Sequence, residues 1–109
     1  MRVWDIPVKR LCRQHLLGEH AELHAIWSII TKKKKGYSHH PEVLRWHGKL
    51  KALYKRHEEQ VKELESRGYA HYSPLNLKLA KGLSKQDGYV DTIKEQNKIL
   101  KDKKCGCKT

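Results

Sequence analysis

Residues 8–31 read VKRLCRQHLLGEHAELHAIWSIIT, without an internal proline or a cluster of turn residues. The run follows Pro7, and proline is favoured in the first turn of a helix. Its apolar side chains recur at the three- and four-residue spacing of a helix that buries one face. These side chains are Cys12, Leu16, Leu23, Ile26, Trp27 and Ile30. The sequence therefore predicts one helix that begins near Pro7 and continues to Thr31.

A second file of residues lies beside this stripe, because helical positions seven apart return to nearly the same side. It contains His15, Gly18, Glu19, Glu22 and Ala25. Gly18 costs the helix about 1 kcal/mol relative to alanine. Two interpretations are open for it, namely close approach of a ligand or another backbone, and a simple packing contact.

Further helices are expected downstream. Pro41 is typical of a first turn, helical spacing continues from Val43 to Leu64, and Arg67-Gly68 ends it. A short helix is predicted at residues 77–80 and a longer one at about residues 92–103. Residues 1–109 are thus predicted to form a single all-α domain. We expect a compact bundle of two long helices and a shorter C-terminal helix, with the N-terminal segment packed against the first helix.

The charge balance points to a phosphate-rich partner. Twenty-four Lys and Arg residues against twelve Asp and Glu residues give a net charge of +12, which is typical of a protein that binds nucleic acid. An anionic membrane would also attract this charge, but the sequence has no apolar span of about 20 residues and no signal-peptide core. We therefore predict a cytoplasmic DNA-binding protein that does not associate with membranes.

Basic residues in two places are predicted to contact DNA. Lys32 and Lys33 begin a lysine run at the end of the first helix, where they either meet phosphates or form a solvated helix end. Arg45, Trp46 and Lys49 lie in the basic N-terminal half of the second long helix. We predict contacts to DNA from these three rather than from the mixed-charge half beyond His57.

The cysteines and histidines give no strong metal motif. Cys105-Gly-Cys107 has one residue between its thiols, and with Cys12 the cysteine count is odd, so we predict reduced thiols rather than a disulfide framework. His20 and His24 are four apart, but the acid between them is misplaced for a zinc protease and no third ligand stands out. We therefore expect no metal and no cofactor, although a metal site at the C-terminus remains open.

Three stretches resemble a known enzyme family. They are Met-Arg-Val-Trp-Asp-Ile-Pro at residues 1–7, Gln-His-Leu-Leu-Gly-Glu-His-Ala-Glu-Leu at residues 14–23, and the segment from Gly48-Lys49-Leu50 to Arg67-Gly68-Tyr69. Together they resemble the pyrimidine-dimer DNA glycosylase/AP lyase family of the phage endonuclease V type. The resemblance covers roughly residues 1–75.

The resemblance implies a small helical enzyme whose own N-terminal amine is the nucleophile. A gapless alignment places Met1 on that nucleophile and Glu22 on the family's catalytic glutamate. It also places Arg2 on a family arginine, and Gln14 and His15 on a Gln-His pair, for which we expect DNA or substrate contacts together with Gly18. For His15 a structural role as a hydrogen-bonded, partly buried histidine is the alternative. Because a bulky residue follows Met1, we expect the methionine to be retained and to supply the amine.

The chain also departs from the family. Two arginines that flank the catalytic glutamate in phage enzymes correspond to Ala21 and Ala25, and the chain lacks the aromatic-rich C-terminal tail associated with dimer recognition. The resemblance implies a monomeric glycosylase with coupled AP lyase activity on lesion-containing double-stranded DNA, with cyclobutane pyrimidine dimers as the first expected substrate. A glycosylase for another damaged or modified base and a non-catalytic nucleic-acid-binding module are the alternatives.

Overall fold

The computed structural model describes residues 2–36, 39–69, 74–103 and 106–107. Met1 and Cys105, which the sequence analysis singled out, lie outside these ranges. The helices are α1 (Arg13–Thr31), α2 (Pro41–Leu44), α3 (Leu50–Ser66) and α4 (Ile93–Asp102), with 3₁₀ turns at Val8–Arg10 and Leu77–Leu79. The all-α prediction is confirmed. Among the described residues, no helix has the length and apolar composition needed to cross a membrane.

Two clusters of buried side chains hold the helices together. The first joins α1, α2 and α3 and consists of Val3, Leu23, Ile26, Trp27, Ile29, Val43, Trp46, Ala52 and Leu53. The second joins the N-terminal segment to the ends of α1, α3 and α4 and consists of Trp4, Ile6, Leu11, Leu16, Leu64 and Leu100. Because residues 3–6 contribute to both clusters, the N-terminal segment is packed into the interior, as predicted.

The prediction of one helix from Pro7 to Thr31 is wrong at its beginning. Val8–Arg10 form a 3₁₀ turn, Leu11 is extended (φ −77°, ψ 138°), and α1 starts at Arg13. Arg67, the residue that follows α3, contributes to this break, since its Nη2 donates a 2.7 Å hydrogen bond to the carbonyl oxygen of Leu11. The carbonyl oxygen of Leu11 is therefore bound by Arg67. It does not need the backbone amide that would bind it in a continuous helix.

The second predicted helix is interrupted as well. Helix α2 ends at Leu44, and α3 begins only at Leu50 after Gly48 adopts a left-handed conformation with φ +74°. Gly82 packs so tightly here that a Cβ on it would lie 2.1 Å from the Gly48 carbonyl oxygen. The amide of Leu83 donates a 2.9 Å hydrogen bond to that oxygen. The chain after the second 3₁₀ turn therefore docks where the sequence predicted a continuous helix.

The remaining boundaries agree with the sequence. Gly68, with φ +90°, follows the end of α3, and the short helix predicted at residues 77–80 is a single 3₁₀ turn, Leu77–Leu79. Thr92 caps α4 through a reciprocal pair of hydrogen bonds with Glu95, an arrangement that satisfies two amides at a helix start. Helix α4 is therefore fixed in place beside the N-terminal segment.

Candidate active site

The N-terminal half of α1 forms one wall of an open cleft of about 320 Å³, a size typical of small-ligand sites. The lining residues are Arg2, Trp4, Gln14, His15, Gly18, Glu19, Glu22, Ile99 and Lys103. Five of them were singled out from the sequence for the site: Arg2, Gln14, His15, Gly18 and Glu22. The structure therefore brings residues from the two ends of the chain and from α1 to one place.

Gly18 lies on the floor of this cleft. No heavy atom lies within 4 Å of the position that a Cβ on Gly18 would occupy. The packing-contact interpretation is therefore wrong, because nothing in the described protein presses against this glycine. The missing side chain instead keeps space open between His15 and Glu22, which lie about one turn before and one turn after it.

The residues before α1 run extended through the interior, and side chains rather than a sheet satisfy their backbone groups. The amide of Val3 donates to Oε1 of Glu42 at 3.2 Å, and its carbonyl oxygen accepts from Nη2 of Arg45 at 2.7 Å. The amide of Asp5 donates to Oε1 of Gln96 at 2.8 Å. Buried backbone groups that lack partners are destabilising, so these contacts hold the segment in one path.

The same segment is held from the other side by a buried ion pair. The amide of Trp4 donates to Oε1 of Glu19 at 2.6 Å, and Nη2 of Arg56 donates to the carbonyl oxygen of Ile6 at 2.8 Å. Glu19 and Arg56 also bind each other through Nε (3.0 Å) and Nη2 (2.8 Å). Side chains from α1, α2, α3 and α4 therefore position the residues that lead from the first position of the chain to the cleft.

Glu19 is a structural anion of the cleft wall. Its carboxylate is fully buried, and it accepts hydrogen bonds from Arg56, from the amide of Gln60 and from Trp4. Burial raises the pKa of Glu19, and the Arg56 guanidinium and the donated hydrogen bonds act against that rise. Because every contacting group donates a hydrogen bond, these contacts stabilise the ionised form of the carboxylate.

Two cations, Arg2 and Lys103, are among the described residues that line the cleft. The guanidinium of Arg2 lies 4.7 Å from the centre of the Trp4 ring and 2.8 Å from Oδ2 of Asp91. Lys103 contributes a second cation from the end of α4. Partial burial, followed by the charge of Lys103, lowers the pKa of His15. The cleft therefore combines cations that favour phosphate with a neutral imidazole.

Glu22 differs from Glu19 in its surroundings. It lines the same cleft and is half-exposed, and no ion pair involves it within the part of the chain that the structure describes. The carboxylates of Glu19 and Glu22 lie one turn apart but have different environments. The carboxylate of Glu19 is neutralised by Arg56, whereas that of Glu22 is open to a ligand in the cleft.

Arg45, Trp46 and Lys49, which the sequence predicted as DNA contacts, lie elsewhere. Trp46 is buried in the first core cluster and donates to Glu42. Arg45 is only 7% exposed and is bound to Glu42 and Asp5. Nζ of Lys49 lies 2.8 Å from Oε1 of Gln86. All three side chains make contacts within the protein, and none of them lines the cleft.

The predicted lysine contacts, Lys32 and Lys33, are exposed just beyond α1. The rise of an α-helix separates Lys32 from Glu22 by about 15 Å along the helix axis. Ala21, which replaces a family arginine, is exposed, and Ala25 is half-buried. The cations that meet the cleft itself are instead Arg2 and Lys103.

Two groups of side chains in the described residues have the spacing of metal ligands. One consists of His20, His24 and His57, and the other of Cys12, His15 and Cys107. The expectation that His20 and His24 have no third partner is wrong, because His57 of α3 stacks on His20 with ring centres 5.0 Å apart. Nδ1 of His20 also lies 2.7 Å from Oε1 of Gln60, so a chain of hydrogen bonds accounts for this group.

Trp4, Glu19, Ile99 and Lys103 were not identified as site residues from the sequence. Glu19 was placed on the correct helix face, but its partner Arg56 lies 37 positions away. Lys103 and Ile99 come from a helix whose docking position no local pattern specifies. The capping signal Thr92-Ile-Lys-Glu95 would have identified the helix but not its place beside the cleft.

The family model described as pyrimidine dimer DNA glycosylase matches residues 1–77 of the chain. The matched range contains the N-terminal segment, helices α1 to α3 and every cleft residue except Ile99 and Lys103. No curated protein and no solved structure matches the chain.

Proposed function

This chain belongs to the pyrimidine dimer DNA glycosylase family, and from that premise we propose that it both excises a base and cleaves the strand at the resulting abasic site. The family is one of DNA repair glycosylases, so lesion-containing DNA is the substrate class. Within it we propose cyclobutane pyrimidine dimers as the substrate. The proposal is supported chiefly by one observation, which is that Arg2 and Glu22 line the same cleft.

The proposed nucleophile is the α-amine of Met1. Arg2, the next residue, lies at the cleft, and consecutive Cα atoms are only about 3.8 Å apart. An α-amine has a reference pKa of about 7.7–8.0 against about 10.4 for lysine. About a tenth of α-amines are therefore unprotonated at neutral pH, and an unprotonated amine is needed for attack on a carbon centre.

In the first step, the amine nitrogen attacks C1′ of the lesion nucleotide, and the base leaves with the electrons of its bond to C1′. Of the two protons that the nitrogen loses, one passes to the departing base and the other, through the carboxylate of Glu22, to the ring oxygen, which leaves C1′ as a hydroxyl and gives an imine. The half-exposed carboxylate of Glu22 stabilises positive charge at C1′ and accepts a proton. The cleft supplies the enclosed space into which the nucleotide is extruded.

In the second step, the imine acts as an electron sink. Loss of a proton from C2′ allows the 3′ phosphate to leave with its bonding electrons, and water then hydrolyses the imine to release the protein. The departing phosphate carries negative charge, which the cations Arg2 and Lys103 stabilise. A duplex with a net negative backbone is attracted to the +12 protein, and this attraction weakens with salt.

Borohydride trapping tests the proposal. We expect the purified protein, incubated with abasic-site DNA and borohydride, to form a covalent adduct by reduction of the imine, and peptide mapping to place the DNA on Met1. Lys103 is the matched control, because it offers an amine in the same cleft. A Lys103→Met protein should still form the adduct. An adduct on Lys103 would contradict the proposed nucleophile, and the lack of any adduct would leave only a DNA-binding function.

Gly18 gives a second test, which concerns the space in the cleft. We expect Gly18→Leu to stabilise the protein by about 0.5–1 kcal/mol, because leucine is the better helix former, and to lower the yield of the trapped adduct at least tenfold by filling the cleft. Denaturant unfolding and the trapping assay measure the two effects. Ala21→Leu, on the same helix at a position that does not line the cleft, should change neither by much. Undiminished trapping by Gly18→Leu would place the substrate elsewhere.

A further inference from the structure

Two cysteines from opposite ends of the chain meet at one histidine. Cys12 precedes the first residue of α1, His15 lies on the first turn of the same helix, and Cys107 follows α4 near the end of the chain. Sγ of Cys12 is 3.1 Å from Nδ1 of His15, and Sγ of Cys107 is 3.4 Å from the same nitrogen. All three atoms lie within 4.8 Å of one another. Because 92 positions separate His15 from Cys107, only the tertiary fold brings these groups together.

The spacing of these atoms matches a tetrahedral metal site. With Zn–S near 2.3 Å and Zn–N near 2.05 Å, a tetrahedral Zn²⁺ holds a sulfur and a nitrogen about 3.5 Å apart and two sulfurs about 3.8 Å apart. The measured sulfur–nitrogen distances of 3.1 and 3.4 Å are close to this value. Two thiolates with an imidazole form a ligand set that selects Zn²⁺ over Mg²⁺ or Ca²⁺.

The surroundings favour thiolate ligands as well. The backbone amide of Cys12 donates a 3.0 Å hydrogen bond to Sγ of Cys107, which is the kind of outer contact that orients a metal ligand. This amide lies at the N-terminus of α1, where the aligned peptide dipoles favour negative charge. Cys12, His15 and Cys107 are each half-buried, so the position between them is shielded from water yet can be reached by an ion.

We propose that Cys12, His15 and Cys107 bind one Zn²⁺ that ties the segment after α4 to the start of α1. A fourth ligand completes the tetrahedron. His15 and Lys103 both line the cleft. The ion therefore holds the end of α4, where Lys103 lies, against the cleft wall formed by α1. Its role is structural, and it does not depend on whether the imine chemistry proposed above takes place.

Elemental analysis of protein purified with a thiol reductant and without chelator provides the first test. We expect about one zinc per chain, bound with a dissociation constant on the order of nanomolar or tighter. Removal of zinc with a strong chelator should lower the melting temperature, and added Zn²⁺ should restore it. Chains that contain no zinc, and whose reduced thiols take up none from added Zn²⁺, would overturn the proposal. A mass that corresponds to a Cys12–Cys107 disulfide in freshly purified protein would also overturn it.

Cobalt substitution identifies the ligands without any variant. Co²⁺ added to the zinc-free protein should give the visible bands of tetrahedral cobalt and a near-ultraviolet thiolate-to-cobalt transition, and Zn²⁺ should abolish both. Cobalt that binds without the thiolate-to-cobalt transition would contradict the assignment, because nitrogen or oxygen atoms alone would then be its ligands.

Variants then separate this cluster from the histidine group. Cys12→Ser, Cys107→Ser and His15→Ala should each reduce the zinc content from about one to under about a tenth per chain, and His15→Cys should restore it. His24→Ala is the matched control, because it removes a member of the second group and should leave the zinc content unchanged. Zinc lost from His24→Ala but retained in Cys107→Ser would assign the ion to the histidines and overturn the proposal.

Discussion

A Glu22→Gln protein is expected to cleave lesion-containing DNA about 10²–10⁴-fold more slowly than the wild type, the range typical for loss of a positioned acid–base group. The amide has nearly the shape of the carboxylate, but it neither accepts a proton at neutral pH nor balances the positive charge that develops at C1′. Glu22 is half-exposed on the cleft wall, so the substitution leaves no buried partner unsatisfied. Its effect should therefore appear in turnover rather than in folding.

Single-turnover cleavage of an oligonucleotide with one pyrimidine dimer measures this rate, and filter binding at several salt concentrations measures affinity. We expect the affinity and its salt dependence to change little, because Arg2 and Lys103 remain. Glu65→Gln, at an exposed position on α3, makes the same chemical change away from the cleft and should leave cleavage unchanged. Normal cleavage by Glu22→Gln would remove Glu22 from the mechanism.

The face of α1 that carries the site could be predicted from the sequence because helical geometry alone determines it. Residues 15, 18, 19 and 22 share one side of any regular helix, and the resemblance to the family identified that side as the functional one. The buried stripe was also largely predicted, since Leu16, Leu23, Ile26 and Trp27 are buried. These features depend on the helical spacing of residues that are close in the sequence, and α1 keeps that spacing over this stretch.

The helix breaks could not be predicted, because distant residues cause them. The carbonyl of Leu11 is taken by Arg67, and the left-handed Gly48 is fixed by the close approach of Gly82. Leu11 carries no signal that distinguishes a broken helix from a continuous one, and Gly48, although it weakens a helix, lies within a continuing apolar pattern. Periodicity continued across both breaks, so the pattern predicted uninterrupted helices.

The position of Arg45 in the fold has a related cause. Basic residues on an amphipathic helix are usually solvated, and that expectation made Arg45 a candidate for phosphate contact. In the fold, the extended N-terminal segment passes beside α2 and exposes backbone groups that need partners. Arg45 satisfies the carbonyl of Val3 and pairs with Asp5 and Glu42, so the guanidinium positions the segment instead of meeting DNA.

The N-terminal segment is therefore held by a set of buried polar contacts rather than by apolar packing alone. If the N-terminal segment only filled the core, it would not need a buried carboxylate and guanidinium beside it. Apolar residues of similar volume often give the protein the same stability as a buried ion pair. Glu19 and Arg56 instead bind the backbone at Trp4 and Ile6. The contacts fix the direction in which residue 2 enters the cleft, which is the requirement that an N-terminal nucleophile imposes on a fold.

The second large effect expected is on stability, from Glu19→Gln. This change leaves the guanidinium of Arg56 buried without its counter-charge, and loss of one partner of a buried ion pair costs about 3–5 kcal/mol. Urea unfolding followed by circular dichroism measures the free energy of unfolding. Glu59→Gln is the matched control, since Glu59 lies 3.9 Å from the same guanidinium but is 57% exposed. It should change stability by at most about 1 kcal/mol, as exposed pairs do.

A double substitution separates positioning from stability. Glu19→Leu combined with Arg56→Met removes both charges, and such a pair is often neutral or stabilising relative to the buried ion pair. The double variant should therefore be more stable than Glu19→Gln but less stable than the wild type, because the amide of Trp4 and the carbonyl of Ile6 lose their partners. It should nevertheless form the borohydride-trapped adduct at least tenfold more slowly, because the backbone at Trp4 and Ile6 has lost the side chains that direct the chain into the cleft. A double variant that is both stable and fully active would show that Glu19 and Arg56 serve the fold alone and do not position the terminus for chemistry.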